Sequence, residues 1–351
     1  MIRRLVLLAA PLLALLAFFS GAATPAQPSA RAADRVVLKS GRELFGKYGS
    51  ERGHKVYFVD DEIGALVVPR MNVRTIVHGD ADPGLFAPIV LETAEPARPK
   101  SYVRIEPAQG DAPAALSTGV VRLFDEKTRS TVFLVGAVHV ADAAYYERLQ
   151  DILDGCDVVL YEGVGHAKDG AAPDEREMER YDALFKLQLK VKDLLDLTFQ
   201  RDGLDYTRPF WKNADVDMES LSEQMQRENV ALPTDPPLVR GLLKLVVGML
   251  DATQIGENPE FRRQLKSQVA AALTTADALF GGSMRDLGRV LIEWRNDAAL
   301  QHLDDEIAGG APGRWIAVFY GAGHLPDMAA KLTQRGFEFQ GVGWVRAWEL
   351  R

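Results

Sequence analysis

Twice along this chain an apolar run ends in Gly-x-x-His, passes into a helical stretch and returns to a second apolar run. The first unit covers residues 131–161 and contains Gly136-Ala-Val-His139; the second covers 315–348 and contains Gly321-Ala-Gly-His324. Strand, crossover helix and returning strand form the unit of an α/β sheet, and two such units confine the chain to a sheet covered by helices. Open α/β sheets place their ligands at the carboxyl ends of strands. Glycine at that point lets the backbone turn sharply and approach a ligand closely. A third copy, Gly163-Val-Gly-His166, follows the apolar residues 158–161. Six His and 30 Gly in 351 residues predict about 0.5 such spacings by composition alone, so the pattern reads as an active site. If the strands of the two units pair in one sheet, His139 and His324 emerge at the same edge.

The first 33 residues read as a secretory signal: Arg3-Arg4, an apolar run over 5–19, and the small-x-small sequence Ala30-Arg31-Ala32. The apolar run is short for a membrane span. The expectation is export to the periplasm or the medium, or a membrane-anchored chain if the segment stays uncleaved. Cys156 is the only cysteine, which excludes an internal disulfide and a thiolate metal cluster, and its place before residues 158–161 predicts burial. The formal charge is −8, and loss of Arg3, Arg4 and Arg31 with the signal makes it −11. An acidic chain has no electrostatic footprint for nucleic acid.

Residues 34–80 carry five short strand-like pieces, at 35–39, 43–48, 55–59, 65–69 and 73–77, broken by turn residues. They predict a small N-terminal all-β domain, an SH3/Sm-like barrel acting as adaptor or cover, with His54 and His78 at its surface. Residues 81–116, rich in Pro, Ala and Asp, read as a linker in which 89–92 and 102–105 have the alternative of edge strands. Residues 117–351 form the α/β (α+β) domain, opening on a hairpin of 120–124 with 130–135. Residues 175–309 read as a large helical insertion with helices at 175–198, 218–228, 238–254, 259–280 and 283–307. The apolar piece 238–250 contains Arg240 and Lys244 and is too short to span a bilayer, so core packing is the expectation and membrane contact a minor one.

Four motifs taken together resemble one known family. Leu134-Val-Gly-Ala-Val-His139, Asp157-Val-Val-Leu-Tyr-Glu162, Arg295-Asn296 and Gly321-Ala-Gly-His324-Leu are similar, in order and coarse spacing, to the motifs of the TraB/GumN/Tiki family, across roughly residues 118–346. The stretch from Val216 through Glu219 to Gln224 is similar to a further segment of that family. The resemblance implies a metal-dependent hydrolase, in Tiki-type members a protease, with relatives among erythromycin-esterase-like and haem-binding ChaN-like folds. The chain departs from the pattern at Ala137, where Thr is usual; at Gly163, after which the common Asp is absent; and at Trp294, where Glu often precedes Arg-Asn.

The residue chemistry fits that expectation. His139 and His324 are the candidate metal ligands, since neutral imidazole suits Mn, Co or Zn. Glu162 ends an apolar strand, where an unpaired carboxylate is costly to bury, and is a third ligand, a general base or a member of a structural salt bridge. Arg295 is a candidate for stabilising an oxyanion or a carboxylate in bidentate fashion, or is a surface or ion-pair residue; Asn296 is a candidate for orienting a ligand or capping a turn, and Glu219 for an additional carboxylate or a solvated helix face. His166 matches the spacing only, and His302 beside Asp304-Asp305 reads as solvated. No Gly-x-Ser-x-Gly elbow, His-Glu-x-x-His helix or nucleotide fingerprint is present. The reading is an exported divalent-metal hydrolase acting on a peptide or protein. Its alternatives are a non-catalytic binder of a peptide signal or haem-like ligand, and a metal-free esterase-like hydrolase with His139 or His324 as base.

Overall fold

The computed structural model describes residues 34–52, 55–60, 64–77, 99–110, 112–163, 192–231, 258–281, 285–310 and 312–350. The expectations for the signal segment, His54, His78, residues 89–92, His166 and the helix at 238–254 lie outside them, as does nearly all of the helix at 175–198.

Five antiparallel strands open the described chain: β1 (Asp34–Leu38), β2 (Glu43–Arg52), β3 (Lys55–Asp60), β4 (Gly64–Pro69) and β5 (Val73–Val77), in the order β4-β3-β2-β1-β5. Their inner face buries Val36, Leu44, Val56, Phe58 and Val73. This is the period-two alternation of a half-buried sheet. Val59 joins the core of the second region instead, and Gly64 faces Pro209.

The second region is a seven-stranded mixed sheet. Its strands are β6 (Val103–Glu106), β7 (Ala115–Asp125), β8 (Ser130–Ala137), β10 (Val158–Tyr161), β12 (Trp211–Asn213), β13 (Trp315–Gly321) and β14 (Glu338–Glu349). The order is β12-β10-β13-β8-β7-β14, with β6 sharing the edge of β7 that β8 leaves open. The two-residue strands β9 (Val140–Ala141) and β11 (Thr198–Phe199) pair with each other beside it. Strands β12, β10, β13 and β8 run parallel, so their carboxyl ends share one edge. Register aligns Gly321 with Ala137, and Tyr161 with both Phe319 and Asn213.

Helices cover both faces. On β8, Phe133 and Val135 point into one core with Tyr145, Tyr146, Leu149 and Leu153 of α1 (Ala143–Asp154). Val132 and Leu134 point into the other, with Leu300 and Leu303 of the later helix and Met328 and Leu332 near the chain end. Burial on both faces is why the parallel strands read as unbroken apolar runs. The remaining helices are α2 (Gln200–Gly203), α3 (Met218–Arg227), α4 (Pro259–Gly281), α5 (Arg285–Gly288), α6 (Arg295–Gly309) and α7 (Leu325–Gln334). Between α5 and α6 the helix continues as a π-helix over Arg289–Trp294.

Two assignments shift. Part of the stretch read as linker is sheet: β6 realises the edge-strand alternative, and Tyr102 before it is buried. The stretch read as helical insertion also supplies β12, which extends the parallel sheet past β10. Trp211-Lys-Asn is too short and too polar to show a strand period, and its pairing is a tertiary effect. Cys156 is buried, as expected.

Candidate active site

The parallel strands bring three of the expected residues together. His139 follows β8, Glu162 follows β10 and His324 follows β13, all at the shared carboxyl edge. All three are buried. Gly136 has a packing reason to be glycine: a Cβ there would lie 3.0 Å from both Gly119 O and Leu325 Cδ2 and 3.1 Å from Ala322 Cβ. That close approach seats the Gly321–His324 turn against β8.

Arg295 and Asn296 arrive from the opposite layer, at the first turn of α6 where the π segment ends, and both are wholly buried. The Arg295 guanidinium donates through Nη2 to Glu162 Oε1 at 2.6 Å. It also grips Asp215 with two bonds, Nε to Oδ1 at 3.0 Å and Nη2 to Oδ2 at 2.6 Å, and Nη1 reaches Leu291 O at 3.3 Å. Burial opposes the charge on Arg295, but Asp215 and Glu162 more than offset it and raise its pKa. Of the roles open for Arg295, the structure shows the carboxylate contact: the guanidinium holds Asp215 with two bonds and Glu162 with one.

Glu162 is fixed at its other oxygen by the Gly321 N–H, which donates to Oε2 at 2.7 Å, and its own N–H donates to Phe319 O at 2.9 Å. Oε1 lies 3.7 Å from His324 Nε2, close but beyond a hydrogen bond. Two carboxylates against one guanidinium give the cluster a formal charge of −1.

Each histidine is held through Nδ1 by a side-chain amide. His324 Nδ1 is 2.7 Å from Asn296 Oδ1, while Asn296 Nδ2 donates to His324 O at 3.1 Å and to Asp327 Oδ2 at 2.8 Å. His139 Nδ1 is 2.9 Å from Gln200 Oε1, and Gln200 Nε2 donates to the Tyr206 hydroxyl at 2.9 Å. Burial first, then the positive charge of Arg295 and the neighbouring His139, push the His324 pKa well below its ordinary value, so this ring is neutral. His139 Nε2 is buried and has no hydrogen-bond partner among the described residues. Imidazoles with Nδ1 tied back in this way are the arrangement of metal ligands and of general bases alike. The carboxyl group of Glu162 beside them adds a hard oxygen donor. The donor chemistry suits a divalent cation, but among the described residues no three His, Cys, Asp or Glu side chains are grouped so as to hold one together.

Glu219 is not part of this cluster: it is exposed in the first turn of α3. His302 is exposed on α6. Sequence reasoning missed Asp215, Gln200 and Tyr206. Asp215 follows β12 by two residues, and Asn213 ties that turn to the site by donating to Gly163 O at 2.9 Å, while Gly163 N–H donates to Asp215 Oδ2 at 3.1 Å. Its only sequence signal is a carboxylate after a strand, and that strand is itself hidden in the polar Trp-Lys-Asn.

Gln200 sits where α2 packs on α1. A Cβ on Gly203 would stand 2.6 Å from Tyr146 Cδ2 and 2.7 Å from Tyr146 Cβ. Tyr146 cannot retreat, because its hydroxyl donates to Val138 O at 2.8 Å, one residue before His139. Gly203→Ala is expected to cost about 1–3 kcal/mol through overpacking. Urea unfolding checks this, and a variant within about 0.5 kcal/mol of wild type, as for a neutral surface change, would contradict the packing argument.

No family model matches the chain. No curated protein and no solved structure matches it either. The functional reading therefore stands on the cluster's own chemistry and on the motif resemblance.

Proposed function

We propose that this protein is an exported metal-dependent hydrolase that cleaves peptide bonds, with His139 and His324 as the ligand pair. The observation that carries it is the pair of buried imidazoles at neighbouring strand ends, each anchored through Nδ1, with a carboxylate cluster of net negative charge beside them. On this reading the N-terminal sheet is an SH3/Sm-like cover, and the strand–Gly-x-x-His–helix–strand units are the scaffold of the centre. The peptide substrate follows from the TraB/GumN/Tiki resemblance, and export follows from the signal-like residues 1–33. Among the described residues no helix is long and apolar enough to cross a membrane.

His139 and His324 would hold a cation such as Mn, Co or Zn through Nε2. A bound divalent cation supplies Lewis acidity, which activates water and polarises a carbonyl. Glu162 is the group placed to take a proton from the attacking water at Oε1, its position set by Gly321 N–H and Arg295. Arg295 holds that carboxylate through Nη2, and Asp215 keeps Arg295 in place. Asn296 orients His324. The burial of the cluster strengthens each of these electrostatic effects by excluding water.

A second reading, a metal-free hydrolase with His139 as base, is favoured by one fact: both Glu162 oxygens already have partners. One experiment separates the two. The purified chain and its His139→Ala/His324→Ala variant are dialysed against limiting Mn, Co and Zn, analysed for metal and assayed on peptide substrates with and without chelator. The proposal expects near-stoichiometric metal in the wild type, none in the folded variant, and hydrolysis that chelation abolishes. Equal, negligible metal in both would overturn it, and activity surviving chelation would establish the second reading.

A further inference from the structure

We propose that Gln200 and Tyr206 form a positioning relay that makes His139 the adjustable imidazole of the pair, while Asn296 locks His324 in a single tautomer. The inference rests on the reading of these two histidines as the working groups of the site. It goes beyond that reading by assigning each a different proton chemistry.

The difference lies in what holds the two amides. Asn296 Nδ2 faces a backbone carbonyl and a carboxylate, His324 O at 3.1 Å and Asp327 Oδ2 at 2.8 Å. Neither acceptor can donate, so the amide cannot be turned over without setting its oxygen against two oxygens. Oδ1 must therefore face His324 Nδ1, at 2.7 Å, and that nitrogen must carry the proton. The Nε2 of His324 then has only a lone pair to offer.

Gln200 has a different neighbour. Its Nε2 meets the Tyr206 hydroxyl at 2.9 Å, and a phenol both donates and accepts. Two arrangements of the same heavy atoms keep both the His139–Gln200 and the Gln200–Tyr206 hydrogen bonds. In one, His139 Nδ1–H donates to Oε1, and Nε2–H of Gln200 donates to Tyr206. In the other, the amide is turned over, Tyr206 O–H donates to Oε1, and Gln200 Nε2–H donates to His139 Nδ1. The second arrangement puts the His139 proton on Nε2. The exchange is charge-neutral: one proton leaves Nδ1 for water and another arrives at Nε2 from water.

The surroundings keep this relay in place while leaving that choice open. Gln200 N–H donates to His139 O at 2.8 Å, tying the two backbones together. Tyr206 packs edge-on between Tyr161 and Trp211, with ring centroids 5.2 and 5.1 Å away. The turn that carries it is pinned to α1, since Asp205 N–H donates to Gln150 Oε1 at 2.8 Å and Arg208 reaches Asp154 at 3.4 Å. His139 thus presents either a lone pair or an N–H from one fixed position, and its Nε2 has no partner among the described residues to choose for it. A lone pair suits a cation; an N–H suits a substrate oxygen that is gaining charge. His324 offers only the first.

The test reads tautomers directly. The full chain, labelled with 15N at histidine and stripped of metal by chelator, is examined by NMR at a pH where both rings are neutral, with single His→Asn variants giving the assignments. His324 is expected at the limit for a protonated Nδ1 and a bare Nε2. His139 is expected at intermediate shifts, the average of two tautomers. Gln200→Glu, whose carboxylate can only accept, should move His139 to the protonated-Nδ1 limit and leave His324 unmoved. Wild-type His139 already at that limit, or His324 at averaged shifts, would overturn the proposal. The wild-type spectrum alone decides, so the result does not hang on the variant folding. Because no metal or substrate is present, a protein that neither binds metal nor cleaves peptides would sink the proposed function and leave these shifts as predicted.

Discussion

Arg295→Met is expected to destabilise the fold by about 3–5 kcal/mol, the penalty for leaving a buried charge without its partner. The side chains of Arg295, Glu162 and Asp215 are 0%, 1% and 0% exposed, so water cannot replace the lost guanidinium. A domain whose total stability is about 5–15 kcal/mol loses a large fraction of it by this one change. The cause can be isolated. Met fills similar volume, so a triple variant that also carries Glu162→Gln and Asp215→Asn removes the charges together and should regain most of the loss. Denaturant unfolding of the single and triple variants measures both. A triple variant no more stable than the single one would show that packing, and not uncompensated charge, was the origin.

Asn296→Leu is expected to have the largest effect on function short of removing a ligand. Leu keeps roughly the volume but loses the acceptor that ties His324 Nδ1 and the donor that satisfies Asp327. Outer partners of ligating histidines are worth about 10–100-fold in metal affinity or activity. The expected result is a loss of that size in metal affinity, read by competition with a chromogenic chelator, with His324 still in place. Asn296→Asp should recover part of the affinity, because a carboxylate still accepts from Nδ1. Metal affinity unchanged in Asn296→Leu would remove His324 from the ligand set.

Much of this arrangement was legible in the residues alone, for identifiable reasons. Strands buried on both faces leave unbroken apolar runs, so β8, β10 and β13 stood out, and the glycines after them marked the edge where His139, Glu162 and His324 meet. Arg295 and Asn296 were also picked out, but whether Arg295 would meet an oxyanion or a carboxylate was left open. A guanidinium near a reactive centre looks the same in sequence whether it faces substrate or a carboxylate, and only the buried Asp215 decides between them. Asp215 itself was hidden because β12 owes its pairing to β10 and not to its own composition. Glu219, three residues after Val216, was picked out instead of Asp215 but lies exposed on the first turn of α3. Gln200 and Tyr206 carry no motif at all: their importance comes from a short helix packed on α1, a contact between residues far apart in the chain.

The π-helical stretch ahead of Arg295 lets the chain change length by one residue there without moving the site. Each residue of an α-helix advances about 100° around the axis, and a π-turn accommodates one residue more than an α-turn. In-frame loss of a single codon within Arg289–Trp294 would let the helix relax to ordinary α geometry without disturbing either flank. Arg295 and Asn296 would then keep their places beside Glu162 and His324, because the wide turn had already absorbed the extra residue. A π-turn of this kind can be gained or lost by one insertion or deletion event that leaves the residues of the site in place. Comparisons among related chains should therefore count helix length here before they compare side chains.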